Sequence, residues 1–304
     1  MADRRDAAEL CGLVRPGARR RRGGAVRADR DGASLSRIAL VGNLAVDRVA
    51  GGPPRPGGSV FHAARTAAHI GADAVAVTRC GGRDEALALR PLVSLGLPVA
   101  SVEVAETTAF SFHYEGDRRI MFVDAVGDVW SAADVETWAA ESLAACDWVI
   151  VGGLLRTHFD RDALAALARG GRRLLLDAHG LTRVAARGPL QENAAYDHRL
   201  LRDLTVLKLN EDEAAIVAGG IDQASLEALE VPEVILTLGS RGAVVVADGE
   251  LVAIAAVPVD GPVDPTGAGD AFSLVYVDAR GRGLVPVAAA ARAAAVVAEL
   301  IARP

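Results

Sequence analysis

The nine residues Asp264-Pro265-Thr266-Gly267-Ala268-Gly269-Asp270-Ala271-Phe272 point to chemistry on an anion. Two glycines flanking a small residue leave the backbone bare where an apolar, helix-like run begins. Amides at a helix start have no intrahelical partner and carry partial positive charge, which suits a phosphate. A carboxylate placed there would repel that ligand, so Asp270 has a reason to be present only if it acts on it. A base beside a phosphate is what phosphoryl transfer to an alcohol requires. Taken alone, the stretch also fits a glycine-rich turn with an aspartate capping a helix.

Two further groups have the right residue types. Asn210 and Glu213 stand three apart in Leu207-Lys208-Leu209-Asn210-Glu211-Asp212-Glu213, which places both on one face of a first helical turn. A plain helix cap by Asn210 fits the same spacing. Thr237-Leu238-Gly239-Ser240-Arg241-Gly242 has the glycines of a backbone that admits a ligand closely, or of a hairpin turn. Lys208 is the single lysine of an arginine-rich chain.

The elements that must position these residues follow a βα rhythm. Residues 37–42 form a short apolar run ending in glycine, a buried strand by length and flanks. Residues 53–58 are a proline- and glycine-rich loop, and Ser59 opens a helix that Gly71 stops. Strands are predicted at 73–78, 148–151, 173–177, 204–209, 234–238 and 243–246. Helices are predicted at 161–168 and from about 211, 267 and 285. Residues 110–114 and 119–123 alternate partly around Glu115-Gly116-Asp117 and read as a hairpin, placed as a small lid beside the main sheet. Strands alternating with helices imply a mostly parallel sheet covered on both faces, with ligands beyond the carboxyl ends of the strands.

Composition narrows the class. The chain has 304 residues, 51% hydrophobic and 24% charged, enough for one large α/β domain with or without a small appendage. A net charge of −6 argues against a nucleic-acid binder. Cys11, Cys80 and Cys146 lie far apart with no disulfide or metal spacing, which fits a reducing cytoplasm. No apolar run reaches the length of a membrane span. Residues 1–36, with Arg19-Arg20-Arg21-Arg22, are expected to be a disordered basic extension without an apolar signal centre. The folded domain is expected over 37–304, with small lid elements around 43–58 and 108–124.

In this order and spacing, the motifs resemble the PfkB, or ribokinase-like, family of small-molecule kinases. The resemblance runs from Arg37 to Ala302. It rests on the Asp264–Asp270 stretch, on the N-x-x-E pattern of Asn210 and Glu213, and on the T-x-G-x-x-G turn at Thr237. Gly57-Gly58 with Ala63, Ala64 and Gly71-Ala72 resembles the family's first signature, and Gly42 and Asp47 resemble its opening strand. It implies a three-layer αβα sandwich with a small β lid. It also implies an ATP-dependent phosphotransferase acting on a hydroxyl of a sugar, an inositol-like polyol or a nucleoside.

The roles the resemblance implies are these. Asp270 is the general base, and the amides of Gly267, Ala268, Gly269 and Asp270 hold the transferring phosphoryl group. Lys208, Asn210, Thr237, Gly239, Gly242 and Thr266 bind ATP. Glu213, with Asn210, holds Mg²⁺ through water, and Asp264 marks a monovalent-cation loop. Asp47, Gly58 and His62 face the acceptor. The partners are ATP and a small hydroxyl compound, with a homodimer among the assemblies it allows. His62 stands where sugar kinases often carry asparagine, the segment after Asp47 is short, and Asp177-Ala178-His179-Gly180-Leu181-Thr182-Arg183 resembles a D-x-Q-G-x-x-R variant with His179 for glutamine. These departures favour a cyclic polyol or nucleoside over a free hexose, and leave a ligand-binding regulator as the alternative to an enzyme. A dehydrogenase, a P-loop NTPase and a serine hydrolase each lack their defining motif.

Overall fold

Fourteen strands occur among the described residues: β1 (Ile38–Asn43), β2 (Ala45–Val49), β3 (Pro54–Gly57), β4 (Ala74–Gly81), β5 (Val99–Val104), β6 (Thr108–Glu115), β7 (Arg118–Ala125), β8 (Trp148–Gly152), β9 (Arg173–Asp177), β10 (Gly188–Pro189), β11 (Val206–Asn210), β12 (Glu233–Thr237), β13 (Ala243–Ala247) and β14 (Glu250–Ile254). The computed structural model describes residues 36–302 apart from 116, 117, 260 and 262. Residues 1–35 of the expected extension and the hairpin residues Gly116 and Asp117 lie outside the described residues.

Nine strands form one sheet in the order β14-β13-β12-β11-β9-β8-β1-β4-β5. From β5 to β12 every pairing is parallel, while β13 and β14 run antiparallel. The reason is legible in β9. Leu174 and Leu176 join the core on one face and Leu175 joins the core on the other. Strands buried on both sides need an apolar residue at nearly every position, as parallel strands do. Helix α1 (Ser59–Ile70) lies on one face with α5 (Ala268–Gly281) and α6 (Pro286–Ile301), and α2 (Arg161–Ala168) lies on the other. Two shorter elements matter to the site: the single turn α3 (His179–Thr182) after β9, and α4 (Glu211–Val217) after β11.

A second sheet, in the order β10-β7-β6-β2-β3, forms the lid. The predicted hairpin is its β6–β7 pair, and β2 adds in parallel with Asp47 opposite Phe110. Residues 54–57, read above as loop, form edge strand β3 against β2. Proline lacks a ladder donor, and an edge strand tolerates that. Strands β5, β10 and β14 went unread, and β2 fell within the lid region expected around 43–58 without being read as a strand, because each is short or only half buried.

Candidate functional site

The site is assembled on the first turn of α5. Its N-cap, Gly267, has φ 78°, in the left-handed region that glycine enters without a Cβ penalty. A Cβ there would also lie 2.6 Å from the ring of His62, so α1 and the glycine-rich loop close on one another. The loop is braced by the Thr266 amide, which donates to Asp264 Oδ1 at 3.0 Å, and by the Ala268 amide, which donates to the Pro265 carbonyl at 3.0 Å. That bond occupies the Ala268 amide. The amides of Gly269 and Asp270 follow in the first turn, where helix geometry offers no acceptor. Hydrogen bonds from Thr266 hold the Asp264 carboxyl below the usual carboxylate range, with Arg55 and His62 adding to the effect.

Lys208 reaches this helix start from β11. A Cβ on Gly269 would lie 3.2 Å from Lys208 Nζ, so the second glycine of the motif makes room for an ammonium. The lysine side chain is 3% exposed and pairs with Asp177, 5% exposed, at the end of β9. Burial pulls the Lys208 pKa down, but the charges of Asp177, Glu213 and Asp270 outweigh it and hold the amine protonated above its usual range. Burial pushes Asp177 up, and the charges of His179 and Lys208 overcome that and hold it well below the usual range.

Two cavities meet at this point. One, of about 370 Å³, lies under the lid sheet and is lined by Asp47, His62, Phe110, His179, Arg183 and Asp270, with Gly58 and Thr266 at its wall. The other, of about 530 Å³, is lined by Thr237, Gly239 and Gly242 on one side and by Val257, Val297 and Ile301 on the other. Pro265 and Gly269 line both. The first is rich in carboxylates and imidazoles. The second has no charged side chain among its described lining residues.

Asn210 and Glu213 form a reciprocal capping box on α4. The Glu213 amide donates to Asn210 Oδ1 at 2.8 Å, and the Asn210 amide donates to Glu213 Oε2 at 2.9 Å. The other oxygen, Oε1, is buried and accepts no hydrogen bond among the described residues. It faces His179 across 3.5 Å. An orphaned buried carboxylate oxygen beside Asp177 fits a divalent cation. Thus the cap uses one oxygen of the Glu213 side chain and leaves the other without a hydrogen-bond partner among the described residues. The sequence reading did not assign the wall formed by α6, and left His179 and Arg183 open between an acceptor pocket and a phosphate path. Asp177, His179 and Arg183 all line the cavity under the lid sheet. The D-x-H-G-x-x-R spacing carried the only signal for the latter three.

The family model of the pfkB family carbohydrate kinases matches residues 38–303. A pyrophosphate-dependent kinase of the ribokinase family, solved with a pyrophosphate analogue and myo-inositol, is 22% identical and superposes with a TM-score of 0.76, covering 88% of this chain and 96% of that one. Ribokinase from Arabidopsis thaliana, solved with ribose and ATP, is 19% identical with a TM-score of 0.67, covering 88% and 93%. A nucleoside kinase from Methanocaldococcus jannaschii is 19% identical with a TM-score of 0.65, covering 89% and 93%. At these identities the likeness establishes a ribokinase-like fold. No described helix is long and apolar enough to cross a membrane.

Proposed function

The chain belongs to the pfkB family of carbohydrate kinases, and from that premise we propose that it transfers the terminal phosphoryl group of a nucleoside triphosphate to a hydroxyl of a cyclic polyol or nucleoside. The observation that carries this reading is the junction of the two cavities at Gly269, with Asp270 on the polar side. The acceptor occupies the lid cleft, where Asp47 can accept hydrogen bonds from neighbouring hydroxyls. Asp270 takes the proton of the attacking hydroxyl. The new O–P bond forms as the bond to the β-phosphate oxygen breaks, and the nucleoside diphosphate leaves with that electron pair. Lys208 and the amides of Gly269 and Asp270 face the phosphoryl oxygens, where charge spreads in the transition state. A divalent cation held near Glu213 and Asp177 would neutralise donor phosphate charge.

The second cavity favours a nucleotide donor. Its apolar wall suits a base and ribose edge, and pyrophosphate has no apolar part to place there. Pyrophosphate remains the competing donor, since one similar kinase is described as using it. An assay of ADP release over inositols, pentoses, hexoses and nucleosides tests the reading, with a parallel arm in which pyrophosphate replaces ATP and release of inorganic phosphate is followed. Efficient phosphorylation of ribose or fructose over every polyol and nucleoside would overturn the acceptor class. Acceptor binding with no turnover on either donor would identify a ligand-binding regulator instead.

A further inference from the structure

Asp177, His179 and Glu213 bring three metal-ligating atoms within 4.8 Å of one another. They come from the end of β9, the turn α3 and the first turn of α4, so the fold itself converges them. Two of the three are almost fully buried: Asp177 is 5% exposed and Glu213 1%.

Three observations point to an ion. Glu213 Oε1 accepts no hydrogen bond among the described residues, although its sister oxygen is spent on the helix cap. Its separation of 3.5 Å from His179 Nδ1 is too long for a hydrogen bond of useful strength. Two ligands on one ion, at bonds of about 2.0–2.2 Å, stand about 3–3.5 Å apart. The charge balance agrees. Asp177, Glu213 and Asp270 bring three negative charges against at most two positive ones, on Lys208 and on His179 when it is protonated. An excess of buried negative charge is costly unless a cation compensates it. Asp177 Oδ2 holds Lys208, while Oδ1 is hydrogen-bonded to His179 Nδ1, a bond that an ion between the two atoms would replace.

We propose that Asp177 Oδ1, His179 Nδ1 and Glu213 Oε1 bind a first-row divalent transition ion directly, Mn²⁺ in preference to Mg²⁺. Mg²⁺ demands near-ideal oxygen geometry and keeps much of its water, whereas an imidazole ligand favours the borderline first-row ions. The inference deepens the reading of the same site, but is measured without donor or acceptor and so fails separately from it. The competing account has an imidazolium bridging the two carboxylates with no metal.

The test uses the full chain, stripped with EDTA and titrated with Mn²⁺ while free Mn²⁺ is followed by electron paramagnetic resonance. The expected result is one Mn²⁺ bound per chain, displaced by Mg²⁺ only at about tenfold or greater excess. Spin-echo modulation from a directly bound nitrogen should be present. His179→Gln should lose that modulation and weaken Mn²⁺ binding at least about tenfold, with the Mn²⁺-over-Mg²⁺ preference gone. Circular dichroism checks that the variant folds, and if it does not, the modulation in the unmodified protein decides alone. Absence of stoichiometric Mn²⁺ binding, or bound Mn²⁺ without nitrogen coupling, overturns the site.

Discussion

Substituting Gly267 by alanine imposes two separable costs. The first is conformational: at φ 78° an L-residue is in the left-handed region, at about 1–2 kcal/mol. The second is steric. The new methyl would lie 2.6 Å from the His62 ring, closer than side-chain atoms approach, so α1 or the loop must yield. Forced overpacking of this kind costs about 1–3 kcal/mol. The sum is about 2–5 kcal/mol, and at about 2–4 °C per kcal/mol the melting temperature should fall by about 4–20 °C. Replacing His62 by alanine removes the obstacle but not the backbone strain. In that background Gly267→Ala should therefore cost only about 1–2 kcal/mol. A double-mutant cycle on thermal unfolding reads the difference as a coupling of about 1–3 kcal/mol. Equal costs in both backgrounds would refute the contact between the first signature helix and the glycine-rich loop.

Other outcomes follow from the same geometry. His158 is fully buried, with the Leu154 amide donating to Nδ1 at 3.3 Å and Nε2 at 2.7 Å from the Val126 carbonyl, and burial pushes its pKa from 6.5 down to about 4. The unfolded chain therefore binds the proton first, and stability should fall as pH drops from about 6.5 to about 4, by up to about 3 kcal/mol. Urea midpoints against pH check this, and a profile that His158→Gln does not flatten would contradict it. In EDTA, Asp177→Asn should destabilise the fold by removing the carboxylate paired with Lys208, but by less than the about 3–5 kcal/mol of a fully unpaired buried charge, because Glu213 and Asp270 remain near the ammonium. Adding Lys208→Met should recover part of that loss in the same melts, and no recovery would argue against the pair. Ala294→Trp, which fills the apolar cavity, should raise KM for ATP at least about tenfold and leave acceptor KM nearly unchanged. An unchanged KM for ATP would favour pyrophosphate as donor.

How far the sequence could be read depended on how local each feature is. The Asp264–Asp270 stretch was legible because the helix start, its bare amides and its carboxylate are adjacent in the chain. The alternation of buried strands and helices was legible because parallel strands must be apolar on both faces, as β9 shows. Strand β3 was hidden by its two prolines, which mark a loop unless the strand lies at a sheet edge. The wall formed by Ala294, Val297 and Ile301 on α6 has the spacing of any helix packed on a core, and only the fold shows that part of it faces a cavity. His179 was recognisable as a departure from a motif, but its approach to Glu213 spans two loops and could not be read from spacing.

The proposed role of Asp270 as the base at a phosphoryl-transfer centre stands or falls on phosphoryl transfer in Asp270→Asn and the unmodified chain, side by side, with ATP and the best acceptor from the panel. The change keeps the shape of the side chain and removes the base. Turnover should fall at least about 10²-fold with ATP binding retained. A variant that keeps most of its activity would contradict that role.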